Sequence, residues 1–298
     1  MYDAIRNNTQ FNSDFEKPEF SQSGQIMARR QSETSPVIFL HGVTTRSGTN
    51  YLNALLAKHP KLDSCPGQVY EFPMLTHLDK FVDFQDIALD DFARNREYIE
   101  RDDIIVSLGS GLVSYLYELT EDGKIPLLKE PSVRNLRLFP KLFPGQKLLL
   151  LIRDGRDVVQ SALTSWPGTS FRAASVSWAR SAELLLNYND AYSGEGGCLL
   201  VRYEDLVENT QDEMERVCDF LEIDSTIYRE DIDKEIPIIG SSTHSKRGNR
   251  VSWKAVEKSD DFKHKNKWSD WNSSKRAKFK SYAGHALIQA GYESGDDW

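Results

Sequence analysis

The sequence predicts a three-layer α/β/α domain with a central parallel sheet. Short continuous apolar runs recur at Val37 to Leu40, Ile125 to Leu128, Leu148 to Ile152 and Cys198 to Val201. This is the composition of strands covered on both faces. Stretches with helical spacing of apolar residues follow these runs, and strands alternating with helices imply right-handed crossovers and a parallel sheet. No internal repeat or Pro/Gly/Ser-rich linker divides the chain, so a single domain is expected.

Residues 1 to 34 are polar and show no sustained period, and they read as a flexible lead-in to a domain of residues 35–298. The first strand is followed by a Gly-containing loop and by Tyr51, Leu52, Leu55 and Leu56 at helical spacing. The second strand precedes an apolar-periodic stretch through Val133, Leu136, Leu138 and Leu142. The third hands over to a helix beginning near Asp154, and the fourth to one through Met214, Val217, Phe220 and Leu221.

With 298 residues, 39% of them hydrophobic, the chain can bury a sizeable core. Its net charge of -8 argues against general nucleic-acid binding. The charge is unevenly spread: from His244 to Lys280, 12 Lys and Arg face 4 Asp and Glu, leaving that stretch near +8. Either an anion docks there or it is a solvated helical face. Cys65, Cys198 and Cys218 are far apart and form no metal-ligand spacing. They fit a reducing, cytoplasmic setting. The first residues lack a signal-peptide pattern and no apolar run is long enough to insert in a membrane.

The loop Gly42-Val43-Thr44-Thr45-Arg46-Ser47-Gly48-Thr49 stands where a strand meets a helix. Backbone N–H groups and the positive helix end attract phosphate there. Arg46 adds a cation shaped for phosphate or sulfonate oxygens, and Ser47 and Thr49 add hydroxyls. Five residues separate Gly42 from Gly48 and no Lys-Ser/Thr follows, so this is not the ATP-binding Gly-rich loop of nucleotide triphosphatases. A Gly-rich turn capped by Ser and Thr would look the same.

In Ile152-Arg153-Asp154-Gly155-Arg156-Asp157-Val158-Val159-Gln160-Ser161, Arg153 ends a strand and Ser161 lies in the next helix. Asp154 reads as its N-cap, with Asp157 closing a capping box. Arg153 and Ser161 could reach one phosphate across the helix start. The alternative is that Arg153 pairs with Asp157 or Asp205.

These two elements resemble those of sulfotransferases that use 3′-phosphoadenosine 5′-phosphosulfate. Arg46-Ser47-Gly48-Thr49 is similar to the 5′-phosphosulfate loop of tyrosylprotein and many bacterial members. Arg153 and Ser161 match the Arg/Ser pair at the 3′-phosphate. Tyr203-Glu204-Asp205-Leu206 and the closing Leu287 to Tyr292 are similar to further family segments. The resemblance implies a P-loop-like fold in which Thr45, Arg46, Ser47, Gly48, Thr49 and Asn50 hold the phosphosulfate. Arg153 and Ser161 would hold the 3′-phosphate, with Tyr203 near the adenosine. Lys246, Arg247 and Gly248 are the counterpart of a C-terminal basic-Gly segment. The acceptor would bear a hydroxyl, with sugars first, a lipid or small molecule next, and protein tyrosine open; the sequence is silent on oligomeric state. A P-loop kinase-like phosphotransferase is the alternative.

Sulfuryl transfer needs charge stabilised on the leaving phosphate, the role expected of Arg46, and a base for the acceptor hydroxyl. Glu71, among aromatic and apolar neighbours, is the expected base, with His77 second; His41 reads as packing. Lys129 in Leu128-Lys129-Glu130-Pro131 ends a strand facing the ligand-binding edge, and a similar pattern in tyrosylprotein members places this Lys at the sulfuryl group. No ligand cluster implies a metal. Trp166, Trp178, Trp253, Trp268 and Trp271 either line an acceptor cleft or pack the core.

Overall fold

The computed structural model describes residues 15, 17–34, 36–237, 265–295 and 297–298. Five parallel strands, β1 (Ile38–Gly42), β2 (Leu62–Asp63), β3 (Ile125–Glu130), β4 (Lys147–Ile152) and β5 (Cys198–Arg202), form one sheet in the order β2-β3-β1-β4-β5. Ile38 pairs with Leu127 on one side and Lys147 on the other, and Ile152 with Arg202. Every strand therefore presents its carboxyl end to the same edge, where loops after β1, β3, β4 and β5 meet.

Alternation along the strands builds the three layers. Phe39, Leu128, Leu148, Leu150 and Ile152 face one core, closed by α3 (Met74–Asp90), α4 (Arg101–Leu119), α5 (Phe139–Leu142), α6 (Gly155–Ser165), α7 (Phe171–Tyr192) and α10 (Ser273–Gln289). Ile38, Leu40, Leu127, Leu149, Leu151 and Val201 face the other, closed by α2 (Thr49–Leu56), α8 (Tyr203–Glu208) and α9 (Thr210–Leu221). The three-layer parallel architecture expected from the apolar runs is the one observed.

The first 34 residues differ from expectation over Gln22–Thr34, which form α1 against α4. The inward positions, Gly24 and Gln31, sit at helical spacing but are not apolar. Gly24 lets the helix approach the Asp103 side chain, whose Oδ1 accepts the Ser21 N–H at 3.0 Å. Gln146 binds the Gln31 carbonyl at 2.8 Å. A helix held by polar contacts leaves no apolar period to read. Among the described residues no helix is long and apolar enough to cross a membrane.

Candidate active site

The loop after β1 is anchored at both ends. Val43 N–H donates to the Leu151 carbonyl at 2.8 Å, and Ser47 Oγ donates to the Thr44 carbonyl at 2.8 Å. The Ser47 hydroxyl, expected to bind ligand, thus holds the loop closed from a fully buried position. Thr45 is exposed, and Thr49 is buried at the start of α2. Gly48 caps α2 in the left-handed region, φ 102°. A Cβ there would lie 2.5 Å from Cε2 of the Tyr203 ring, so only glycine meets both the backbone and the contact.

Tyr203, at the first turn of α8, carries the Arg153 guanidinium over its ring, 4.2 Å from the centroid. Arg153 is 5% exposed; its Nη1 donates to the Arg46 carbonyl at 3.2 Å, and its own carbonyl accepts from Trp178 Nε1 at 3.1 Å. Arg46 adopts φ 73° and turns its Nε to Ser161 Oγ at 3.0 Å. Trp166 stands 5.8 Å from this guanidinium. The expected 5′ and 3′ elements are therefore in direct contact.

Asp157 does not close a capping box. Asp154 alone caps α6, accepting from Arg156 N–H at 2.8 Å and clamping the Arg156 side chain at 2.7 Å. The Asp157 carboxylate instead accepts the backbone N–H groups of Asn266 and Lys267, at 2.9 and 2.6 Å. Arg153 binds the Arg46 carbonyl and stacks on Tyr203, so the simple Arg–Asp pair does not describe it, although Asp157 lies near enough to feel its charge.

Lys267, which the sequence did not single out, enters the same cluster. Burial, then the charges of Arg153 and Arg46, pull its ammonium down to about 8, with Asp157 opposing. Burial and Arg153 likewise bring Arg46 down to about 10, still protonated at neutral pH. Lys267 lay within the basic stretch read from the sequence, but only the folded chain brings it to Arg46 and Arg153. Lys246, Arg247, Gly248 and Trp253 lie outside the described residues.

At the end of β3, Lys129 is 5% exposed. Its Nζ hydrogen-bonds Asn50 Oδ1 and lies 3.0 Å from Glu71 Oε1. Asn50, expected at the phosphosulfate, thereby ties the loop's helix to the base candidate. Buried Glu130 accepts from Thr76 N–H at 3.0 Å and from the Thr76 hydroxyl, fixing the start of α3 just after the segment bearing Glu71. The apolar shelter expected for Glu71 is missing. Its neighbours Tyr70 and Phe72 are exposed, and Glu71 itself is half open to solvent, because this segment crosses the strand end at the surface. His77 stands exposed on α3. His41 is buried with Nδ1 2.8 Å from the Ser132 carbonyl, and burial lowers its pKa, in keeping with a packing role.

Of the tryptophans, Trp178 and Trp271 are core residues, whereas Trp166 is 38% exposed beside Arg46. Among the described residues no cluster of His, Cys, Asp and Glu could hold a metal.

Arg46, Arg153 and Lys267 converge where burial first, and then neighbouring positive charge, disfavours the charged forms of Arg46 and Lys267, and Ser161 adds a hydroxyl. A nucleotide with two anionic groups fits this donor set, since phosphate and sulfate oxygens accept charge-assisted hydrogen bonds from guanidinium and ammonium groups.

Comparison with known proteins agrees. Relatives include protein-tyrosine sulfotransferase A of Caenorhabditis elegans, 28% identical over 67% of this chain and 54% of that protein. Protein-tyrosine sulfotransferase 1 of Danio rerio is 27% identical over 66% of this chain and 57% of its own. The chain thus spans a little over half the length of these relatives. Among solved structures, the sulfotransferase domain from the Synechococcus PCC 7002 olefin synthase superposes with a TM-score of 0.50 at 18% identity. That match covers 91% of this chain and 98% of that one, and it shows the shared fold. The model of the sulfotransferase family matches residues 36–226, from the first strand through the loop, the Arg153 to Ser161 helix and Tyr203, and the chain belongs to that family.

Proposed function

We propose that this chain transfers a sulfuryl group from 3′-phosphoadenosine 5′-phosphosulfate to an acceptor hydroxyl. The observation that carries this reading is the hydrogen bond from Arg46 to Ser161, which merges two anion-reading elements into one cluster with Arg153 and Lys267. When bound, the donor supplies an activated sulfuryl group whose bond to the 5′-phosphate breaks as the acceptor oxygen bonds to sulfur. Arg153, Ser161 and Lys267 would hold the nucleotide's phosphates. Arg46 cannot give up its proton at neutral pH, so it acts as a clamp for negative charge growing at the loop. Glu71, oriented by Lys129, takes the acceptor's proton.

The acceptor is proposed to be a tyrosine-type phenol in place of the sugar first expected. The relatives are named protein-tyrosine sulfotransferases. Glu71 is also flanked by the exposed rings of Tyr70 and Phe72, which can receive another aromatic ring.

The test is a calorimetric titration with 3′-phosphoadenosine 5′-phosphate against ATP plus Mg²⁺, followed by labelled-sulfate transfer to a tyrosine-bearing peptide and to simple sugars. Preference for the former nucleotide, lost in Arg153→Ala, is expected; tighter ATP binding would overturn the reading. Transfer to sugars alone would overturn the phenol assignment and leave the donor assignment standing.

A further inference from the structure

We infer that Asp157 is a positioning residue, holding the Asn266–Lys267 turn so that the Lys267 ammonium completes the cation cluster. The functional meaning of that cluster rests on the donor reading above; the positioning itself rests on geometry.

Asp157 lies in the first turn of α6, between Arg153 and Ser161, and is 1% exposed. A carboxylate so placed needs its lone pairs satisfied, and both oxygens are used on one short segment, Oδ2 by Asn266 N–H and Oδ1 by Lys267 N–H. Asn266 has φ 60°, a left-handed conformation that asparagine tolerates and that makes this a tight turn. The two hydrogen bonds tie this turn to the start of α6. The next residue, Trp268, lies against the Arg156 guanidinium at 3.9 Å, a side-chain contact that packs the segment on α6, while the backbone of the turn is held by Asp157. Held there, the Lys267 ammonium lies close enough to Arg153 and Arg46 for their charges, after burial, to lower its pKa. Asp157, in the first turn of α6, is the charge set against them.

The electrostatic and positioning roles of Asp157 predict opposite results. If Asp157 served only as a counter-charge, removing it would leave Lys267 in place with less support, and its ammonium would titrate below about 8. If Asp157 positions the turn, its removal releases Lys267 toward solvent, and titration moves up toward the ordinary lysine range.

The experiment measures the pH dependence of amine-reagent labelling at Lys267, read by mass spectrometry, in the wild type and Asp157→Ala without nucleotide. An upward shift of a unit or more is expected; no shift or a downward one overturns the inference. Circular dichroism confirms that the variant is folded, and Asp157→Asn, which keeps one acceptor, serves if Asp157→Ala is not. With nucleotide, Asp157→Ala should weaken 3′-phosphoadenosine 5′-phosphate binding about tenfold, as Lys267→Ala does, and the double variant should be no weaker than either. Additive losses would overturn the inference. Failure of the wild type to bind that nucleotide would sink the donor reading alone, since the labelling result stands without it.

Discussion

The Nε of Arg46 donates to Ser161 Oγ at 3.0 Å, across 115 residues of sequence. The hydroxyl fixes the direction of a guanidinium whose backbone is already held in the left-handed region, φ 73°. Arg46→Lys keeps the charge and loses the fork that can hold both Ser161 and an oxygen of the reacting group. A fall in kcat of roughly 100- to 1,000-fold is expected, with a much smaller change in nucleotide affinity. Labelled-sulfate turnover beside calorimetry checks this; equal losses in both would mean that Arg46 serves binding alone.

Gly48 is fixed by two independent constraints, φ 102° and the Tyr203 ring. Gly48→Ala should therefore cost about 1–3 kcal/mol from backbone strain, with the ring clash added, and abolish nucleotide binding. Adding Tyr203→Ala removes the clash but not the strain, and it strips Arg153 of its stacking partner. Thermal denaturation should show partial recovery in the double variant, while binding stays lost. Full recovery of stability would show that the backbone angle costs little.

The pH dependence follows from Lys267. Its folded-state pKa of about 8 lies below the ordinary lysine value of 10.5, so between these values the unfolded chain binds more protons than the folded one. Stability of the ligand-free protein from this group therefore rises with pH across that window. Below about 8 the full penalty of a buried, repelled ammonium is present. Anion binding has the opposite sign: as pH climbs through about 8, Lys267 loses its charge and affinity for 3′-phosphoadenosine 5′-phosphate should drop. Titrations at pH 7 and pH 9 test this, and the slope should vanish in Lys267→Met. A slope that persists there would assign it to another group.

The acceptor side separates from the donor side at Lys129. Glu71→Gln removes the proton acceptor but keeps the shape, so kcat should fall roughly 100- to 10,000-fold with nucleotide binding intact. Lys129→Ala should lower turnover too, because Glu71 loses the partner 3.0 Å away that orients it. If Glu71→Gln retained near-normal turnover, the base would have to be sought elsewhere.

The sheet was legible because buried parallel strands must be apolar on both faces, which leaves continuous runs such as Leu148 to Ile152. The loop and the Arg153/Ser161 pair were legible because their chemistry lies in contiguous residues. β2, with two residues, was too short to leave a pattern, and α1 hides its packing face behind Gly24 and Gln31. Lys267 was missed for a different reason. Its place depends on two backbone hydrogen bonds to Asp157, 110 residues earlier, and no local pattern records a partner that distant. The same contact explains why the capping-box reading of Asp157 failed: its carboxylate serves the C-terminal segment, not its own helix.

The last prediction concerns Arg156, which joins α6 to that segment. Its guanidinium lies 3.9 Å from the Trp268 ring and 4.5 Å from Trp298, bonds Asp154 at 2.7 Å, and pairs with Glu293. Arg156→Ala would leave a buried carboxylate without its cation and two indole faces without their filling. A loss of about 3–5 kcal/mol is expected for breaking such a pair. Arg156→Lys should recover less than half, because an ammonium cannot lie flat between two rings and bond two carboxylates at once. Urea denaturation followed by tryptophan fluorescence measures both. Because Arg156 touches neither Arg46 nor Ser161, the folded fraction of either variant should still bind 3′-phosphoadenosine 5′-phosphate within a few-fold of the wild type. A large affinity loss in folded Arg156→Lys would mean that the Trp268 stack, and not Asp157, sets the position of Lys267.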